Sequence, residues 1–172
     1  MTNYFEFFGL EPKFQLDTKK LKLLYYDKMR EFHPDMQIHA SPEKQEETLQ
    51  MSSINNDAYK TLKEFHSRLK YTLNHFYPGD DAPSKSLPQM FLMEMMDMNE
   101  ELMELKMDYN EESASKMRGE IESKLSDMEA NIRILVEDKL VSDVDKDSFD
   151  KVNTYLLERN YLLRALENIK EE

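Results

Sequence analysis

The sequence predicts an all-α protein, and three observations favour that fold class. Only three of the 172 residues are glycine, whereas leucine, methionine, glutamate and lysine, which favour helices, are abundant. Apolar residues recur at helical spacing along several long segments. Typical helix-starting and helix-ending residues bound those segments. We expect an N-terminal helical hairpin with short flanking helices at residues 1–77, a linker at 78–86, and an antiparallel three-helix bundle at 87–172.

Composition excludes several classes of protein. Hydrophobic residues make up 40% of the chain and charged residues 34%, as in a folded, soluble protein. The absence of cysteine excludes disulfides and thiolate-bound metals or clusters. A net charge of −12 argues against nucleic acid as the main partner. No apolar run could span a membrane and no targeting signal opens the chain, so we expect a cytoplasmic protein without a cofactor.

The N-terminal hairpin begins with a short aromatic segment that Gly9 ends after one or two helical turns. A helical stretch is expected from Leu16 to Phe32, and Asp17 can cap the helix within it. Its apolar face consists of residues at helical spacing: Leu21, Leu24, Tyr25, Met29 and Phe32. The opposite side carries a basic stripe within an arc of ~80°, formed by Lys19, Lys22, Tyr26 and Arg30. This stripe is either an ordinary solvated face or a binding surface.

The tripeptide His33-Pro34-Asp35 follows the basic helix. Pro34 has no backbone N–H and a fixed φ, so the helix must end beside it. An imidazole and a carboxylate are therefore expected on a short exposed loop, next to the basic stripe. Ser41 and Pro42 then start a third helix, as its cap and first residue, and this helix runs to about Leu62. A fourth helix is expected near residues 65–76.

Three long amphipathic segments, near 87–108, 112–140 and 146–170, predict the C-terminal bundle. Ser86 is expected to cap the first of them. Gly119 lies inside the second, where glycine costs roughly 1 kcal/mol against alanine. Close approach of another helix is one possible reason for a glycine at this position.

The first bundle segment carries two apolar faces. The core face is predicted to be Phe91, Met95, Met98, Leu102, Leu105 and Tyr109. A second stripe, which a single-faced helix does not require, consists of Leu92, Met93, Met96, Met103 and Met107. Asp97, Glu100 and Glu104 flank it. Exposed, methionine-rich patches are typical of interfaces; the alternative is that the linker or the first domain covers the stripe.

Sites for catalysis or metal binding are not evident in the sequence. The four histidines, His33, His39, His66 and His75, lack metal-ligand spacing on a common face. The sequence has no glycine loop for phosphate and no nucleophile elbow. We therefore expect a binding protein with no metal. The alternative from another class is a helical enzyme that uses His33 and Asp35 as a dyad.

Residues 1–77 resemble a J-domain, the module by which J-proteins engage chaperones of the DnaK/HscA class. The resemblance includes the opening YFEFFGL, the basic helix, the His-Pro-Asp loop and later positions: Asn56, Ala58, Tyr59, Leu62, Arg68, Tyr71 and Leu73. Phe65 departs from the pattern, because many relatives have proline there. The resemblance implies that the tripeptide and the basic stripe dock on the ATP-bound chaperone and stimulate its ATP hydrolysis.

The stretch FLMEMMDMNEEL, Phe91 to Leu102, in an acidic helical domain, is similar to HscB-type J-proteins, the co-chaperones of iron–sulfur cluster assembly. The similarity implies that an IscU-type scaffold protein is bound by Leu92, Met93, Met96, Asp97, Glu100 and Glu104. Tyr155, or a residue one or two positions away, matches a further aromatic contact. Without cysteine, the chain is not expected to hold the cluster. The alternative is a J-protein whose bundle binds another client.

Overall fold

The computed structural model describes residues 2–33, 35, 40–77 and 86–169. Within these ranges the chain forms helices and no β-strand, so the predicted all-α fold class is confirmed. The α-helices are α1 (Tyr4–Phe7), α2 (Thr18–Glu31), α3 (Pro42–Lys63), α4 (Phe65–Phe76), α5 (Gln89–Met107), α6 (Glu111–Leu135) and α7 (Lys146–Asn168). A short 3-10 helix occupies Val141–Asp143. The predicted linker falls mostly on residues 78–85, outside the described ranges.

The chain divides into two compact units. The first unit contains Met1–Pro78 and Glu137–Val144, and the second contains Gly79–Val136 and Asp145–Glu172. The segment 137–144, which the sequence analysis assigned to the bundle, therefore groups with the N-terminal helices. Its Val141 N–H donates to Pro12 O at 2.9 Å, and Leu140 forms an isolated antiparallel bridge with Lys13. The domain limits at residues 77 and 87 stay a prediction.

Helix α1 ends as the sequence predicts, at Gly9. The φ of this residue is +62°, a left-handed conformation that glycine adopts without a steric cost. Leu10 N–H donates to Phe5 O at 2.9 Å and Gly9 N–H donates to Glu6 O at 3.0 Å, the two hydrogen bonds of a Schellman motif. This ending turns the chain away after a single helical turn, so that Phe5 and Phe8 remain buried.

Helices α2 and α3 form the predicted hairpin, and both start at the predicted caps. The Asp17 carboxylate accepts from the N–H groups of Lys19 and Lys20, and the Ser41 hydroxyl accepts from Lys44 N–H. Between the helices, Tyr25 stacks on Tyr59 with ring centroids 4.2 Å apart. The core beneath them is apolar and aromatic, formed by Phe5, Phe8, Leu21, Ala58, Leu62 and Tyr71.

Arg68 fixes the turn between α3 and α4. Its guanidinium is buried, and Nε donates to Phe14 O at 2.7 Å. Nη1 donates to Lys63 O at 3.3 Å and also to Leu62 O. The last carbonyls of a helix have no intrahelical donor and carry partial negative charge, so a buried cation is well placed there. Phe65, where relatives often have proline, begins α4 as a buried residue.

The second unit is the predicted three-helix bundle of α5, α6 and α7. Its core is formed by Phe91, Met95, Leu102, Leu105, Ala114, Met117, Ile121, Leu162, Ala165 and Ile169. Helix α6 ends at Leu135, five residues before the predicted end at 140. Beyond its C-cap, Val136, Asp138 has a φ of +53°, a left-handed conformation that aspartate tolerates better than most residues.

The expected Ser86 cap is wrong, and the possible reason given for Gly119 is not supported. Pro88, not Ser86, occupies the N-cap of α5, and no side chain caps that helix with a hydrogen bond. A Cβ added at Gly119 would meet no atom within 4 Å, so close approach of another helix does not explain this glycine.

Candidate functional site

The basic stripe of α2 is exposed. Lys19, Lys22, Tyr26 and Arg30 all face solvent. The ammonium of Lys22 lies 5.9 Å from the centre of the Tyr26 ring. Arg30 Nη2 lies 2.6 Å from Asp27 Oδ1, but both side chains are mostly exposed. Because exposed ion pairs contribute little stability, Arg30 can exchange Asp27 for a carboxylate of a partner at small cost.

His33 and Asp35 lie just beyond the end of α2, and both side chains are exposed; Pro34 lies outside the described residues. Asp35 N–H donates to His33 Nδ1 at 3.2 Å. Nδ1 is therefore an acceptor in this conformation. Asp35 Oδ2 lies 3.6 Å from the same Nδ1, so the carboxylate does not hold the ring through an Nδ1–H hydrogen bond, as a catalytic dyad requires.

A cation–π cluster supports the end of α2. Lys28 Nζ lies 4.6 Å from the ring centre of Phe7 and 5.5 Å from that of Phe32. The cluster attaches α1 to the last turn of α2, directly before His33. The sequence analysis did not predict this cluster. The i, i+4 pair of Lys28 and Phe32 was visible in the sequence, but Phe7 comes from another helix and could not be placed by spacing.

The core face of α5 is largely as predicted. Phe91, Met95, Leu102 and Leu105 are buried, and Met98 packs against them while partly buried. Tyr109 was predicted in this face but is 38% exposed, because α5 ends at Met107. The Tyr109 hydroxyl instead donates to Glu111 Oε2 at 2.5 Å. This hydrogen bond, followed by that from Arg118, lowers the pKa of the Glu111 carboxyl.

The second apolar stripe of α5 is exposed. The exposed fractions are 44% for Leu92, 62% for Met93, 65% for Met96, 67% for Met103 and 87% for Met107. Asp97, Glu100 and Glu104 are also exposed and form an acidic edge along the stripe. The structure thus brings the predicted α5 residues together on one accessible surface of the second unit.

Tyr155 on α7 presents little surface to a partner, since it is only 3% exposed. Burial, and then the Glu129 carboxylate, raise the pKa of Tyr155 to about 12. The residue borders a groove of about 410 Å³ between α6 and α7, whose lining includes Ile132, Thr154 and Glu158. The lining also includes three more exposed side chains: Asn131, Asp147 and Lys151.

Within the described ranges, no helix is long and apolar enough to cross a membrane. The same residues contain no group of three or more histidine, aspartate or glutamate side chains arranged to hold a metal ion.

A helical hairpin with a basic second helix and a histidine–aspartate loop, followed by a three-helix bundle, defines a J-protein co-chaperone. Residues 87–170 match the family model described as the HSCB C-terminal oligomerisation domain. The co-chaperone HscB homologue of Neisseria meningitidis serogroup A is 38% identical over 122 residues, which cover 70% of this chain and 74% of that protein. The chain therefore belongs to the HscB family of co-chaperones.

Solved structures show the same fold. Human HscB superposes with a TM-score of 0.73 and 26% identity, over 98% of this chain and 81% of the human chain. HscB from Vibrio cholerae superposes with a TM-score of 0.66 and 24% identity, over 98% of this chain and 100% of the other. The N-terminal unit is thus a J-domain, and the C-terminal helices form the helical bundle of this family.

Proposed function

We propose that this chain stimulates ATP hydrolysis by an HscA/DnaK-class chaperone and delivers an IscU-type iron–sulfur scaffold protein to it. The observation that carries the proposal is the presence, in one chain, of two exposed surfaces of different chemistry on two compact units. One surface is basic and polar, and the other is apolar with an acidic edge. Two partners of different character fit such a chain better than one.

The chaperone surface is assigned to α2 and the loop that follows it. Lys19, Lys22 and Arg30 can pair with carboxylates of the chaperone, which speeds encounter and sets orientation. His33 and Asp35 project beyond the helix, next to the cluster around Lys28, which we expect to restrain the end of α2. A positioned loop loses less conformational freedom on binding, so more of the contact energy remains for the complex.

The scaffold surface is assigned to α5, with the groove beside Tyr155 as a further contact. Leu92, Met93 and Met96 supply apolar area, and Asp97, Glu100 and Glu104 supply the charged edge. An apolar centre with a polar rim is the usual distribution of affinity and specificity in an interface. Binding both partners to one chain raises the effective concentration of the scaffold at the chaperone.

The chaperone half of the proposal is tested by single-turnover ATPase assays with the partner chaperone. His33→Gln or Asp35→Asn should abolish stimulation, because each changes the loop while leaving the hairpin core intact. Asp57→Asn, an exposed aspartate on α3, is the matched control and should stimulate fully. Full stimulation by either loop variant, with an unchanged circular dichroism spectrum, would contradict the chaperone role. Substrate turnover by the isolated chain that these changes abolish would instead support the enzyme alternative.

The scaffold half is tested by calorimetric titration with the cognate IscU-type protein. Leu92→Ala combined with Met96→Ala should weaken binding roughly 5- to 150-fold, since truncated interface anchors typically cost 1–3 kcal/mol. ATPase stimulation without scaffold should not change. The control is Leu49→Ala, which removes a leucine that is 60% exposed on α3. A wild-type chain that stimulates the chaperone but binds no scaffold would favour the alternative of another client.

A further inference from the structure

We propose that the scaffold-binding surface extends to Met103 and Met107, so that one apolar stripe runs along nearly the whole of α5. This inference rests on the proposed function. The family resemblance assigns six α5 residues to scaffold binding and neither of these methionines. The partner would therefore present a long apolar ridge with basic residues along one side.

Helical geometry places the two methionines on the line of the predicted contacts. At ~100° per residue, Leu92, Met96, Met103 and Met107 lie within an arc of ~60°. From residue 92 to residue 107 the helix rises about 22 Å. Met103 lies between Leu92 and Met96 in angular position, so a partner that contacts those two residues and continues along α5 meets Met103 next.

The two methionines do not serve the bundle core. They are 67% and 87% exposed, whereas Leu102 and Leu105, on the other side of the same turns, are buried. Exposing two large apolar side chains in one stripe is unfavourable unless another molecule covers them. Methionine is flexible and polarisable, so it adapts to an irregular apolar surface.

The charges along α5 select the kind of partner. Glu100, Glu104 and Asp97 lie on one edge of the stripe, while Lys106 is the only basic residue of the helix. A second copy of this chain would bring a similarly acidic helix to the stripe, and like charges across an interface are costly. A partner with lysine or arginine along one border of its apolar ridge fits the stripe and is held in one orientation.

The experiment compares substitutions on and off the stripe in the full chain. Met103→Gln combined with Met107→Gln keeps the side-chain length and favours helix, but replaces the apolar ends with polar ones. Leu49→Gln is the control, because it makes a similar apolar-to-polar change at a leucine that is 60% exposed on α3, outside the proposed scaffold-binding surface. Titration with the cognate IscU-type protein should show roughly 5- to 30-fold weaker binding for the double variant and less than a twofold change for the control.

The outcomes separate this inference from the proposed function. If Leu92→Ala with Met96→Ala weakens scaffold binding but the Met103 and Met107 double variant binds like wild type, the extension is wrong and the proposed function stands. If the wild-type chain binds no scaffold, the extension and the scaffold half of the proposed function are both wrong. Dimeric wild-type chain in light scattering, made monomeric by the double variant, would show that a second copy covers the stripe. A melting temperature of the double variant more than 5 °C below that of the wild type would show that the two methionines are buried. Either this result or the dimeric wild-type chain overturns the inference.

Discussion

The two units of this chain differ in the polarity of their buried and of their exposed side chains. In the described part of the first unit, Thr48, Asn55, Arg68 and Thr72 are buried polar or charged residues, whereas in the second only Ser148 belongs to that class. Their surfaces differ in the same sense, because the first unit exposes a basic stripe and the second exposes an apolar one. Polar groups in a core restrict the arrangements that satisfy them, whereas apolar packing is more permissive.

This difference matches the role that we propose for each surface. The J-domain presents a short loop, and the positions of its few polar groups depend on where α2 ends. Asn55 contributes to that positioning by donating from Nδ2 to Tyr25 O at 3.2 Å, which fixes α3 against α2. The bundle presents an extended apolar surface along α5 rather than a short loop. Flexible methionine side chains on that surface tolerate small shifts of the helix.

The largest expected effect comes from removing a buried charged residue of the first unit, Arg68. Arg68→Met removes the donors to Phe14 O, Leu62 O and the partly buried Lys63 O. Leaving a buried acceptor unsatisfied costs about 1–3 kcal/mol. We expect the first unit to lose roughly 3 kcal/mol or more, which lowers its melting temperature by more than about 10 °C. Differential scanning calorimetry measures this change.

The control for Arg68 is Arg164→Met, at an exposed position of α7, which should change stability by less than about 0.5 kcal/mol. Arg68→Lys restores one donor group but not the planar set of guanidinium N–H donors. The stability of this variant should therefore fall between that of the wild type and that of Arg68→Met. Equal stability of Arg68→Met and wild type would mean that the buried Arg68 is not needed for the stability of the first unit. The comparison of the two units would then lose its main support.

A second effect concerns Tyr155, a buried side chain of the second unit that carries a hydroxyl. Its pKa is about 12 in the folded chain, raised mainly by burial, against about 10 in an unfolded chain. Between these values the unfolded state has released the proton and the folded state has not, so ionisation favours unfolding. The contribution of the protonated Tyr155 to the free energy of unfolding is therefore fully present below pH 10. It is lost as the pH rises towards 12, by up to about 1.4 kcal/mol per pH unit.

Urea unfolding at several pH values between 9 and 11 measures this fall. Tyr155→Phe should reduce the slope of stability against pH, and the difference from wild type should grow above pH 10. Tyr26→Phe, which removes a tyrosine that is 45% exposed, should leave the wild-type slope unchanged. Identical slopes for wild type and Tyr155→Phe would show that the phenol reaches solvent, and Tyr155 could then be a direct contact in its present conformation.

Local signals in the sequence predicted most of the fold. Helical spacing, the caps Asp17 and Ser41, and the positions of Gly9 and Pro42 each act within a few residues, so they could be identified without the structure. The end of α6 was predicted five residues too late, because helical spacing cannot show that residues 137–144 group with the first unit, where Leu140 pairs with Lys13 from a distant part of the sequence. Tyr109 was misplaced for a related reason, since helical spacing cannot show that α5 has already ended at Met107.

The candidate sites were predicted to different extents. The basic stripe and the α5 stripe are single-helix patterns, so their exposed faces could be derived from a helical wheel. The cluster of Lys28 with Phe7 and Phe32, and the hydrogen bonds of Arg68, join separate elements and became visible only in the structure. Tyr155 shows the same limit, because a match to an aromatic contact does not indicate how deeply the side chain is buried.

The smallest expected effect compares the two described glycines, one from each unit. Gly119→Ala should stabilise the second unit by about 1 kcal/mol or less, because a Cβ there meets nothing and alanine is the better helix former. Gly9→Ala should destabilise the first unit by about 1–2 kcal/mol, although a Cβ there also meets nothing, because its φ is +62°. Thermal melts of both variants should therefore shift in opposite directions. A lower melting temperature for Gly119→Ala would mean that this position of α6 needs glycine for a reason other than helix packing within the free chain.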